Sequence, residues 1–198
     1  MKLIFISGPS GSGKTTLSNQ IIAKIKNGIV LSTDNYYKTG LISKLISKFV
    51  GGYFDKNISF DYKLLKNDFD FIVKNGISIH KRSYDFEKKN TRNLLTENKN
   101  INFIIIEGIF SKEFSSILCN QNYFFLELKI NKNECLKRVI QRDSKERGKA
   151  KKQAKNDFLK SWDIYYEKFR NKSFKKNPKE FVITKKTNIE QIIKKIFN

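Results

Sequence analysis

Residues that punctuate or cross-link a chain are scarce in this sequence. Two prolines and ten glycines in 198 residues leave no Pro/Gly-rich linker, so residues 1–198 read as one domain with room for a sizeable core. The two cysteines, Cys119 and Cys135, fit neither a zinc spacing nor a disulfide framework. A reducing compartment, the cytoplasm, is the expectation. No apolar run is long enough to span a bilayer, and the one in MKLIFISGPS is too short for a signal segment, which predicts a soluble protein without membrane contact. Arginine is also rare, at six residues among 40 basic ones.

What is abundant is lysine. The net charge of +21 invites a nucleic-acid reading, but lysine, asparagine and isoleucine are spread together from end to end, as A/T-biased coding would leave them. Scattered lysine marks solvated surface more readily than a dedicated nucleic-acid face, although a basic protein still attracts polyanionic ligands such as nucleoside triphosphates. With 39% hydrophobic residues the composition is that of a globular domain.

Periodicity organises the chain. Leu3 to Ser7 reads as a buried strand, and Thr15 to Lys26 as a helix with Leu17, Ile21, Ile22 and Ile25 at helical spacing, stopped by Gly28. Ile29 to Leu31 is a second short strand. Residues 35–62 are ambiguous, with helical spacing inside YYKTGLISKLISKFVGGYF. Tyr62 to Lys74 reads as a helix ending at Gly76, and Ile77 and Ile79 as apolar positions of a hairpin continuing to Tyr84. Asn102 to Ile106 and Tyr123 to Ile130 are strands, Glu134 to Asp143 begins a helix, and Lys155 to Phe169 is helical. Phe181 to Thr184 and Ile189 to Phe197 are a last strand and helix. Alternating strands and helices predict a parallel sheet covered on both faces.

Gly8-Pro9-Ser10-Gly11-Ser12-Gly13-Lys14-Thr15 matches G-x-x-x-x-G-K-[ST] between a strand and a helix, the context that gives the motif meaning. Its glycines let successive N–H groups turn toward phosphate oxygens, and the helix adds its positive dipole end. Lys14 is expected to bridge β- and γ-phosphates and Thr15 to ligate Mg²⁺, with Thr16 also in the loop's phosphate contact. This establishes nucleotide binding and names no acceptor.

Acidic residues follow two strands. Asp34 lies past the second, where it can take a proton from an attacking hydroxyl; on position alone a turn-capping role is equally consistent. Glu107 lies past NFIII and can hold Mg²⁺ or cap a turn. Asp55 is unremarkable by itself.

Taken together, residues from Lys2 to about Phe169 resemble the uridine–cytidine kinase family. Leu31-Ser32-Thr33-Asp34-Asn35-Tyr36-Tyr37 is similar to a family LSQDSFY, Phe54-Asp55 and Phe60-Asp61 to the two pairs of NFDHPDAFDWELL, and Tyr84-Asp85-Phe86 to the YDF of P-x-YDF-xx-H-x-R. The resemblance implies that Asp34 is the catalytic base, Asp55 holds the ribose hydroxyls, and Tyr37, Phe54, Tyr84 and Phe86 line the nucleoside pocket. Lys89 replaces the family histidine; it offers donors only, which favours uridine over cytidine. His80, the single histidine, reads as structural. The strand NFIIIEGIF gives Glu107 the magnesium-side role.

The run from Leu136 to Lys149 resembles RRVLRDxxERGR, making Arg142 and Arg147 lid cations over the triphosphate; Lys149 replaces an arginine, and Val139 falls where the family often has another. The implied fold is α/β: a P-loop NTPase three-layer fold with a five-stranded parallel sheet, a small β-hairpin nucleoside-binding insertion within about 35–100, and an Arg-containing lid near 142–158. The implied reaction moves the γ-phosphoryl of ATP, with Mg²⁺, to a pyrimidine nucleoside 5′-hydroxyl in salvage. Family members commonly form homo-oligomers. Two rivals remain: a kinase of the same fold acting on another small alcohol, phosphoribulokinase-like or a coenzyme-precursor kinase, and a nucleotide-switched nucleic-acid binder, for which no recognisable binding module is present.

Overall fold

The computed structural model describes residues 1–39, 59–85, 88, 90–118, 122–171, 173–174 and 177–198. Five strands form one parallel sheet in the order β2-β5-β1-β6-β7, comprising β1 (Lys2–Ser7), β2 (Gly28–Ser32), β5 (Phe103–Glu107), β6 (Phe124–Leu128) and β7 (Lys179–Ile183). Strands β3 (Ser78–Asp85) and β4 (Asn90–Asn98) make a separate antiparallel hairpin. The described helices are α1 (Lys14–Ile25), α2 (Tyr62–Asn75), α3 (Ser111–Leu118), α4 (Lys132–Glu146), α5 (Lys151–Ile164) and α6 (Ile189–Phe197). The expected α/β architecture with its five-stranded parallel sheet is therefore present.

Side-chain alternation along the strands builds a core on each face. Leu3 and Phe5 of β1, with Ile104 and Ile106 of β5, face an aromatic layer containing Phe110, Phe114 and Phe169. Ile4 and Ile6, with Phe103 and Ile105, face α1 and α6 through Leu17, Ile21, Ile193 and Ile196. Phe110 lies 4.4 Å from both Phe60 and Phe169, edge to face, so truncating it to alanine would cost about 3–5 kcal/mol. Cys135 and Val139 of α4 pack on Phe158 of α5 in a smaller cluster.

Local chemistry sets the boundaries. Asp61 caps α2 by accepting from the Leu64 amide at 3.0 Å, and Gly76 closes that helix at φ 66°. Asn188 caps α6 by accepting from the amides of Glu190 and Gln191.

Two expectations need correction, the end of α1 and the start of the helix expected over 155–169. Helix α1 does not stop at Gly28: Lys26 and Asn27 take positive φ, and Gly28 already belongs to β2, where the Phe103 ring leaves no space for a Cβ. The hairpin expected to continue to Tyr84 is present, with Ser78 and Tyr84 buried and Ile79 exposed. The helix expected over 155–169 begins at Lys151 and ends in a π-turn, Tyr165–Phe169. The helical spacing read inside 35–62 falls largely on 40–58, outside the described residues.

Candidate functional site

The strand order turns at β1, and in such sheets ligands bind at the carboxyl ends of the strands beside that point. The loop Gly8–Thr15 leaves β1 there and runs into α1. Gly11 and Gly13 take φ 76° and 98°, a region that favours glycine, and a Cβ on Gly11 would stand 2.5 Å from the Cys135 carbonyl of α4. Lys14 Nζ folds back to donate to the carbonyls of Gly8 (3.0 Å) and Pro9 (3.1 Å). Ser12 Oγ is buried without a hydrogen-bond partner among the described residues.

Glu107, at the tip of β5, is only 3% exposed, and Thr15 Oγ1 donates to its Oε1 at 3.2 Å. Burial pushes its pKa up; the charge of Lys14 opposes this and that of Asp34 reinforces it. Burial likewise pushes Lys14 down, against the attraction of Glu107 and Asp34. A hard carboxylate, a hydroxyl and a poorly solvated lysine at one strand tip suit a divalent cation and a polyphosphate, so the donor set fits Mg²⁺.

Asp34 sits in the 3₁₀ turn Thr33–Tyr36 that follows β2. The turn lies hard against the tip of β5: a Cβ on Gly108 (φ 150°) would stand 1.8 Å from Thr33 Oγ1. Any side chain at 108 would therefore wedge Asp34 away from Glu107. Tyr37 follows, its ring 4.5 Å from Phe60 and 5.1 Å from Tyr84.

Many of these groups line one cleft of about 940 Å³. Its lining includes Ser10 to Thr16, Asp34, Tyr37 and Glu107 together with Arg142, Asp143, Arg147 and Lys149. The structure thus brings together Lys14, Thr15, Thr16, Asp34, Tyr37, Glu107, Arg142 and Arg147. Tyr84 is buried in the aromatic cluster behind Tyr37, and Phe54, Asp55, Phe86 and Lys89 lie outside the described residues.

Two groups were not singled out by the sequence. Asp143, 3% exposed, gathers three cations: Arg142 at 2.7 Å, Arg147 at 3.6 Å and Lys149 at 3.8 Å. Desolvation and neighbouring Arg142 lower the Arg147 pKa, while Asp143 and Asp34 pull it back up. The signal was an acid embedded in a basic run, four positions before Arg147 on one helix face. Arg138 donates to the Gly11 carbonyl at 3.2 Å and pairs with Glu134, which also holds Lys185 beyond β7. It lies one helical turn before Arg142, a spacing that could have revealed it.

Among the described residues no helix is long and apolar enough to cross a membrane. Comparison with known proteins identifies the family. The profile of the Phosphoribulokinase / Uridine kinase family matches residues 3–177. The uridine kinase of Ureaplasma parvum serovar 3 is 30% identical over 152 residues, covering 75% of this chain and 72% of that protein. The uridine kinase of Borrelia duttonii is 30% identical over 175 residues, covering 85% and 80%. Among solved structures, the D-glycerate 3-kinase of Cryptococcus neoformans superposes with a TM-score of 0.64 at 14% identity, covering 92% of this chain and 86% of that one, a likeness of fold. The phosphate loop, the carboxylates at the strand tips and a family profile running through most of the sequence lead to one assignment: the chain is a phosphotransferase of the Phosphoribulokinase / Uridine kinase family.

Proposed function

We propose that the chain transfers the γ-phosphoryl of ATP to the 5′-hydroxyl of uridine. The observation that carries this reading is the shared cleft: the phosphate loop, Asp34, Glu107 and two arginines, Arg142 and Arg147, all line one cavity. The triphosphate lies along Gly8 to Thr16, with Lys14 released from its loop carbonyls to the β- and γ-phosphates. Thr15 and Glu107 would hold Mg²⁺, which supplies charge neutralisation at the phosphates when bound.

Asp34 accepts the proton of the 5′-hydroxyl as the O5′–Pγ bond forms. The bond from Pγ to the β,γ-bridging oxygen breaks, and ADP leaves with that electron pair. Arg142 and Arg147 stabilise the charge that spreads over the γ-oxygens and help exclude water. Tyr37, backed by the buried Tyr84, walls the nucleoside together with Phe54 and Phe86. Asp55 takes the ribose diol, and Lys89 meets a pyrimidine carbonyl. Family membership also admits another alcohol, since the family itself spans two acceptor classes.

An acceptor panel of uridine, cytidine, ribulose 5-phosphate and glycerate, read as ADP release, tests the substrate. Uridine should dominate; turnover confined to a non-nucleoside would replace the reading. Asp34→Asn should lower kcat by roughly 10²–10⁴ while nucleotide binding persists. Normal turnover by that variant would remove Asp34 as the base.

A further inference from the structure

Tyr36 is buried in the turn that carries Asp34, and its phenol donates to Asp68 Oδ2 of α2 at 3.0 Å. Asp68 in turn receives both arms of a fork from Arg82 of β3: Nε to Oδ2, and the NH2 nitrogen to Oδ1 at 2.9 Å. The remaining arm of Arg82 donates to Asn93 Oδ1 of β4 at 2.9 Å, and its guanidinium lies 5.9 Å from the Tyr36 ring centre. The two charged side chains are only 11% and 19% exposed. A second tie runs alongside, from the Tyr84 amide to Asn35 Oδ1 at 3.1 Å. Asn35 and Tyr36, the two residues after Asp34, are therefore both fastened to the hairpin, which otherwise forms a sheet of its own.

A bidentate, largely desolvated carboxylate–guanidinium pair fixes direction as well as distance. Breaking one partner leaves the other charge uncompensated. Burial and the Asp68 charge hold the Tyr36 phenol neutral, so it stays a donor at all working pH values. These bonds tie hairpin, helix and turn to one another.

We infer that Asp68 and Arg82 are positioning residues for the transfer, locking the turn that bears Asp34 to the β3–β4 hairpin so that acceptor wall and base keep a fixed separation. The inference rests on the proposed function for its kinetic consequence, but its structural content stands apart from it. A fork that served folding alone would lower stability and leave the partition between donor and acceptor parameters untouched.

The test uses the full chain with Asp68→Asn, Arg82→Lys and the double variant. Each single change should lower kcat/KM for the acceptor by roughly tenfold to a hundredfold, with the KM for ATP within about twofold of the parent. The double variant should fall little below the worse single one, because the pair acts as a unit. Hydrogen exchange should accelerate at amides 33–37 while β1 and β5 stay protected. Acceptor parameters that match the parent, or donor and acceptor parameters that decline together with melting temperature, would overturn the inference. If the parent phosphorylates no nucleoside, the proposed function fails, and exchange at 33–37 still decides the fork: acceleration upholds it and no change ends it.

Discussion

The donor side and the acceptor side of the cleft are built on different principles. The donor side is made mostly of backbone: eight contiguous residues, Gly8 to Thr15, with glycines in conformations that aim amides inward and a helix that begins where the loop ends. The proposed acceptor side is held by side chains drawn from distant elements, with Tyr36, Asp68, Arg82 and Asn93, none of them lining the cleft, meeting across a turn, a helix and two strands. A backbone site is specified by a short motif. A side-chain site exists only after tertiary packing, so single substitutions can loosen it without touching a ligand.

The largest effect that keeps the two sides apart is expected at Lys14. Lys14→Ala removes the loop's charge and should cost roughly 10²–10³ in kcat, with nucleotide affinity also weakened. Acceptor binding, measured without nucleotide, should be unchanged; parallel loss of acceptor binding would mean the two sides are not separable. Gly108→Ala is the next largest and strikes the seam. Its Cβ would overlap Thr33, so the turn must shift and carry Asp34 from the phosphate loop. A displacement of about 1 Å can cost roughly a hundredfold, and here kcat should fall with nucleotide affinity preserved. Retention of parental kcat would show that the turn's placement is not critical.

A smaller change belongs to the donor side alone. Asp143→Asn leaves Arg142, Arg147 and Lys149 without their shared counter-charge. Their mutual repulsion should spread the lid and raise the KM for ATP about tenfold, with the uridine KM held. Steady-state kinetics at two ionic strengths checks it, since added salt should narrow the gap. A changed uridine KM with an unchanged ATP KM would assign the acid to the other side.

The same contrast governs what the sequence disclosed. The sheet was legible because fully buried strands read as apolar runs: NFIII is β5, and Ile189 to Phe197 is α6 as expected. The loop was legible because its glycines, lysine and threonine are adjacent. Asp34 and Glu107 were placed by following strands to their tips. Family resemblance alone singled out Arg142 and Arg147, since a basic run looks the same whether it solvates or clamps. Asp68, Arg82 and Asp143 escaped because each reads as an ordinary charged residue until its partner is known. Gly28 misled because glycine ends helices and also lets an aromatic ring lie flat on a strand; only Phe103, in a distant strand, distinguishes the two.

The smallest predicted effect concerns the seam at Glu107. Burial holds its folded pKa above the ordinary carboxylate value even with Lys14 nearby, so its charged form is disfavoured in the empty protein. The linked contribution to stability is fully present below the unfolded value near 4.5 and is lost as pH rises through the raised folded value. Glu107→Gln cannot ionise, so the empty variant should gain melting temperature relative to the parent as pH goes from 4 to 7. The gain should be roughly 2–4 °C for each kcal/mol of penalty removed. With ATP and Mg²⁺ the order should reverse, because a cation beside the carboxylate favours the charged form and only the parent can use it. A variant that melts below the empty parent by the same margin at both pH values would mean that Glu107 is a satisfied structural charge. Reversal on adding ATP and Mg²⁺ would identify it as a group held ready for a cation that the backbone loop cannot bind unaided.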